Sequence, residues 1–137
     1  MPYEDEYIDY PEPDPETDQL AKQVIGAAIE VHRHLGPGLA ESIYEAALCV
    51  EFDLRGIPYT RQFLIGVTYK GVSVGQSRID LLVDGRLIVE LKAVDALAPV
   101  HRAQLISYLR IAHLKLGLLL NFNTTLLRQG IQRVILS

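Results

Sequence analysis

Ser77-Arg78-Ile79-Asp80-Leu81-Leu82-Val83 and Arg86-Leu87-Ile88-Val89-Glu90-Leu91-Lys92 flank the dipeptide Asp84-Gly85. Both runs are rich in branched apolar residues, and Asp-Gly tolerates positive φ, so the stretch predicts a β-hairpin. Glu90 and Lys92 are two apart and share one face of their strand. Apolar runs of this kind belong to buried strands, where an ionised side chain is costly unless it is paired or bound to a metal. Asp80, Glu90 and Lys92 are therefore the candidates for chemistry. Mg²⁺ prefers a few carboxylate oxygens plus water, and a neighbouring lysine can orient a water or offset charge on a phosphate. The alternative is a strand end open to solvent, with Glu90 and Lys92 as a surface ion pair.

Hairpin register makes this testable. A two-residue loop at Asp84-Gly85 pairs Val83 with Arg86 and Asp80 with Val89, which sends Asp80 to the face opposite Glu90. A shared site requires an odd offset. Either the loop has three residues, with Val83 opposite Leu87 and Asp80 opposite Glu90, or a bulge adds a residue to one strand.

Upstream, Leu20, Val24, Ala27, Ala28, Val31 and Leu35 recur at helical spacing until Gly36-Pro37-Gly38. A second helix follows, with Ile43, Ala46, Ala47, Val50 and Leu54 as its expected apolar face, closed by Gly56-Ile57-Pro58. Strands are expected over residues 60–69, 72–74, 77–83 and 86–92, then a crossover helix over 99–112. Ala103, Ile106, Leu109 and Leu114 are its candidate core contacts. Strands over 116–122 and 131–136 close the chain. This order predicts an α/β fold, a mixed β-sheet flanked by helices on both faces, in a single domain.

The chain has 137 residues, room for one hydrophobic core. Residues 1–18 hold eight acidic side chains and no basic one, leaving nine carboxylates against 13 Lys and Arg in the remainder, a body charge of about +4. Such a body suits a polyanionic partner. Residues 1–16, with four prolines, read as an acidic mobile tail, and residues 17–137 as the domain. Apolar runs are too short to span a membrane and no signal peptide is evident, so a cytoplasmic location is expected. Cys49, the single cysteine, reads as a buried thiol. His32 and His34 flank Arg33 near a helix end, where cations are favourable.

With these residues in place, the chain resembles the PD-(D/E)XK nuclease superfamily, and within it the small bacterial GxxExxY proteins. The name motif stands as Gly38-Leu39-Ala40-Glu41-Ser42-Ile43-Tyr44, and the metal motif as Arg78-Ile79-Asp80 followed by Ile88-Val89-Glu90-Leu91-Lys92. A Gln-x-x-x-Tyr element similar to that of RecB-like nucleases appears as Gln104-Leu105-Ile106-Ser107-Tyr108. The resemblance covers roughly residues 20–136, with Ile79 where the superfamily has proline. It implies a restriction-endonuclease-like fold and a metal-dependent nuclease acting on nucleic acid, DNA before RNA. It further implies that Asp80, Glu90, the Leu91 carbonyl and Glu41 ligate Mg²⁺ or Mn²⁺, and that Lys92 positions the attacking water. Gln104 and Tyr108, on one helix face, would reach the same cleft. Arg61, Arg78, Arg102 and Arg110 are candidates for gripping phosphates, with His101 for a phosphate or water contact. A homodimer would supply two sites for two strands. The rival expectation is a nucleic-acid-binding or scaffold protein that retains the fold without cleavage; a further one has the acidic tail mimicking phosphate in the cleft.

Overall fold

The first helix starts where its chemistry dictates. Asp14 caps it, accepting from the Thr17 N–H (2.9 Å) and the Thr17 hydroxyl (3.1 Å), and Pro15 stands at the first helical position. The computed structural model describes residues 13–136. Helix α1 (Pro15–Leu35) thus begins two residues before the expected boundary, and residues 1–12 of the expected tail lie outside the described residues. His32, Arg33 and His34 occupy its last turn, and Gly36 ends it. It buries Leu20, Val24, Ala27, Ala28 and Val31, as the periodicity predicts, and Ala21 besides, while Leu35 is exposed.

Helix α2 (Glu41–Arg55) ends at Gly56, whose φ of 70° is left-handed. Its buried face differs from the expected one. Tyr44, Glu45, Leu48, Cys49 and Phe52 face inward, whereas Ile43, Val50 and Leu54 are 46, 58 and 76% exposed and Ala46 is exposed; Ala47 is half-buried. The helix carries two stripes with the same period, so periodicity alone does not choose between them. Aromatic volume decides: Tyr44 stacks on Phe122 with centroids 4.6 Å apart, and Phe52 is fully buried.

Five strands follow in the spatial order of the sequence: β1 (Tyr59–Tyr69), β2 (Val72–Val83), β3 (Leu87–Lys92), β4 (Leu116–Asn121) and β5 (Ile131–Ile135). All neighbours are antiparallel except β3 and β4, joined in parallel through α3 (Pro99–Ala112). A short 3-10 turn, Leu127–Gly130, precedes β5. Residues 72–74 and 77–83 form one strand rather than two. Gly75 adopts φ 146° opposite a register shift at Val67/Thr68, so a bulge carries the ladder past the expected break.

The sheet separates two cores. On one face α1 and α2 pack against Leu81, Val83, Leu87, Val89, Leu91, Leu116, Leu118 and Leu120. On the other, α3 packs Leu105, Tyr108 and Leu109 against Ile79, Ile88, Leu119 and Val134. This is the α/β arrangement with helices on both faces. Of the contacts expected from α3, Leu109 is buried, Ile106 is half-buried, as is Leu114 just beyond the helix, and Ala103 is exposed. Leu105 lies over Gly117, where a Cβ would stand 2.8 Å from its side chain, so the close approach of α3 to β4 requires glycine.

Candidate active site

The β2–β3 turn sets the geometry. Asp84 and Gly85 both take positive φ (51° and 67°), and the Arg86 N–H closes the turn on the Val83 carbonyl at 3.1 Å. Arg86 stays out of the ladder. Pairing begins at Val83 with Leu87 and continues through Leu82 with Ile88 and Leu81 with Val89, a loop of three residues. Continuing that register by one row brings Asp80 opposite Glu90. This is the odd offset a shared site requires.

At that row the backbone ladder gives way to side chains. The Asp80 N–H donates to Glu90 Oε2 at 2.6 Å, and the Leu91 N–H donates to Asp80 Oδ2 at 2.9 Å. The strand also turns there. Ile79 joins the core under α3 and Leu81 the core under α1 and α2, although residues two apart in a regular strand share a face. On the neighbouring strand Gln62, between the Arg61–Leu81 and Phe63–Ile79 pairs, has a left-handed φ of 54°. An L-residue holds that conformation only where its surroundings impose it.

Glu45 is part of those surroundings. Only 7% exposed on α2, it accepts from Gln62 Nε2 at 2.6 Å and from Arg61 Nε at 2.7 Å. Neither Glu45 nor Gln62 is singled out by the sequence. Glu45 lies four residues after Glu41, on the same helix face, and that spacing is the signal that would have found it; assigning the apolar face to Ile43 and Val50 hid it. Gln62 carries no sequence signal, because nothing in an edge-strand pattern announces positive φ.

Electrostatics ties these elements together. Glu90 is 4% exposed, and burial, then the charge of Asp80, pushes its carboxyl up to about 8; the Asp80 N–H and Lys92 oppose this, and Glu41 adds to it. Asp80 is raised by burial first and by Glu45, against the Leu91 N–H, Lys92 and Gln62. Glu41 is raised by burial, then by Asp80, with Lys92 opposing. Tyr108 reaches in from α3, raised by burial and by the charges of Glu90 and Asp80. Five of the sequence candidates, Glu41, Asp80, Glu90, Lys92 and Tyr108, therefore share one field with Glu45.

The remaining candidates are scattered. Gln104 is exposed one turn before buried Tyr108. His101 Nδ1 accepts from the Ala98 N–H at 2.9 Å, closing the first turn of its own helix. Arg61 is engaged by Glu45; Arg78 on β2 and Arg102 and Arg110 on α3 are exposed.

Among the described residues, no three His, Cys, Asp or Glu side chains form a closed metal-holding group. The carboxylates that meet at this row are Asp80 and Glu90, one oxygen of each held by a main-chain N–H. Crowded carboxylates with raised pKa values gain from a cation between them, and Mg²⁺ is commonly held by one or two carboxylates with water and phosphate completing its shell. The pair fits such an ion.

A family model described as the PD-(D/E)XK nuclease superfamily matches residues 18–134. The chain belongs to this superfamily. No curated protein and no solved structure matches it. The match runs from α1 into β5 and so takes in both cores and the carboxylate pair. PD-(D/E)XK nucleases act on nucleic acid and generally use divalent metals. Among the described residues, no helix is long and apolar enough to cross a membrane.

Proposed function

We propose that this chain is a metal-dependent nuclease of the GxxExxY group that hydrolyses phosphodiester bonds in nucleic acid, DNA before RNA, with water as the nucleophile. The observation that carries the proposal is the row at which Asp80, half-buried, and Glu90, buried, meet in place of ladder hydrogen bonds, beside Lys92 and within the field of Glu41.

Asp80 and Glu90 would hold Mg²⁺ or Mn²⁺, with Glu41 and the Leu91 carbonyl beside them. In an extended strand N–H and C=O of one residue point to the same side. Since the Leu91 N–H reaches Asp80, its carbonyl also faces β2. Such an ion supplies Lewis acidity toward phosphate and water when bound.

The side chains divide the remaining work. Lys92 donates to the attacking water and offsets charge on the phosphate. The Glu41 carboxylate, raised by burial and by the charge of Asp80, accepts the proton released. Tyr108 directs its hydroxyl at the departing side, and the exposed Gln104, Arg78, Arg102 and Arg110 are accessible to nucleic acid outside this cluster. His101 and Arg61 support the elements that carry these groups.

Incubation of single-stranded and duplex DNA with the protein in Mn²⁺, in EDTA and with D80A/E90A tests this. Cleavage confined to the wild type in Mn²⁺ is expected. Unchanged DNA binding in all three without cleavage in any would instead make the protein a binder or scaffold.

A further inference from the structure

A second cleft lies at the same end of the sheet. The Phe122 N–H donates to the Lys92 carbonyl at 2.9 Å, just past the carboxyl ends of β3 and β4. Phe122 in turn meets α1: His32 Nε2 lies 3.2 Å from the Phe122 carbonyl and 2.9 Å from the Thr124 carbonyl. Both partners are acceptors, so Nε2 carries the proton, and His32 holds the loop after β4 against the last turn of α1. One residue, Phe122, therefore separates the active-site strand from this loop.

Between loop and helix is a cavity of about 320 Å³, lined by Ile29, His32, Arg33, Leu126, Leu127 and Arg128. No carboxylate lines it. Arg33 and Arg128 are exposed, and among the described residues no ion pair involves either. Leu126 is 46% exposed, an apolar wall left open beside two free guanidinium groups. An apolar wall with exposed cations beside it suits a ligand that is flat and apolar at one end and anionic at the other.

We propose that this cavity is a nucleotide subsite for an unpaired strand of nucleic acid. Arg33 and Arg128 grip a phosphate, and a base rests on Ile29, Leu126 and Leu127. The negative end of α1 disfavours an anion deep in the cavity, which keeps the phosphate at the rim and turns the base inward. A base reaches such a wall only after leaving its stack, so the ligand is single-stranded or frayed there. The main-chain link from Lys92 to Phe122, and from Phe122 to His32 in the cavity wall, sets the subsite at the end of the sheet where the strand would be cut, a point that rests on the nuclease reading; the binding itself does not.

Fluorescence anisotropy in EDTA tests the subsite with a single-stranded DNA, an RNA of the same sequence, and a duplex of equal length. R33A/R128A is expected to weaken single-strand binding about tenfold or more. It should lower the slope of log affinity against log salt by about 1.4, the value for two lost phosphate contacts. L126S should weaken single-strand binding with the slope unchanged, and duplex binding should be insensitive to both variants. The DNA and RNA arms report which sugar the subsite takes. Unchanged single-strand affinity in R33A/R128A, or equal losses on single strand and duplex, would overturn the proposal. Mn²⁺ binding heat, read on the same variants, should match the wild type. A wild type that binds single strands through these arginines but takes up no Mn²⁺ would keep the subsite and remove the nuclease reading.

Discussion

Asp80 and Glu90 face each other across β2 and β3, and the main-chain N–H of Asp80 donates to the Glu90 carboxylate at 2.6 Å. A carboxylate there does what a backbone carbonyl does elsewhere in the ladder. It also places two acids where only one ionises easily.

Stability should therefore fall as pH rises. The Glu90 carboxyl is raised from its ordinary 4.5 to about 8, so between those values the folded state binds a proton that the unfolded chain releases. The stabilisation is fully present below about 4.5 and is lost as pH approaches 8; raised Asp80 and Glu41 act in the same direction. Urea unfolding in EDTA should show lower stability at pH 8 than at pH 5.5, by an amount on the order of a few kcal/mol, and Glu90→Gln should flatten the difference. Equal slopes in variant and wild type would refute the assignment to Glu90.

Lys92→Ala should abolish cleavage and spare the fold. Lys92 is half-buried, with its ammonium in the field of Glu90, Asp80 and Glu41. Loss of one charge-stabilising donor lowers turnover by about a hundredfold or more. Circular dichroism and a cleavage time course on one preparation check both halves, and full activity would remove the role given to Lys92.

Gln62→Gly separates activity from stability. Glycine takes a φ of 54° freely, which offsets the lost hydrogen bond to Glu45, so stability should stay within about 1 kcal/mol of wild type. Activity should still drop, through kcat rather than KM, because Asp80 loses the side chain that helps hold its carboxylate. A glycine variant of full activity would make Gln62 a bystander.

The two stripes of α2 make opposite predictions. Leu48→Ala removes a fully buried side chain and should cost about 2 to 5 kcal/mol, whereas Leu54→Lys, at a position 76% exposed, should change stability by less than about 0.5 kcal/mol. Thermal melts of both variants check this.

These contrasts show what the sequence could carry. Asp84-Gly85 and the charges at 80, 90 and 92 predicted a hairpin and its odd register, because turn chemistry and burial cost are local properties. The stop at Gly36-Pro37-Gly38 and the span of α3 were legible for the same reason. The buried face of α2 was not, since Ile43 and Leu48 fit equally periodic stripes and only the ring of Phe122, 78 residues beyond Tyr44, selects between them. Glu45 and Gln62 escaped because their partners come from different elements, and the Arg33–Arg128 cavity because it forms only when α1 meets the loop after β4.

Isothermal calorimetry of Mn²⁺ binding, with wild type and the Asp80→Ala, Glu90→Ala double variant side by side, tests the central claim most directly. Saturable heat in the wild type that vanishes in the double variant is the predicted result. Equal heats in the two proteins, or none in either, would contradict a metal site at this pair and leave the charges of β2 and β3 without the role assigned to them.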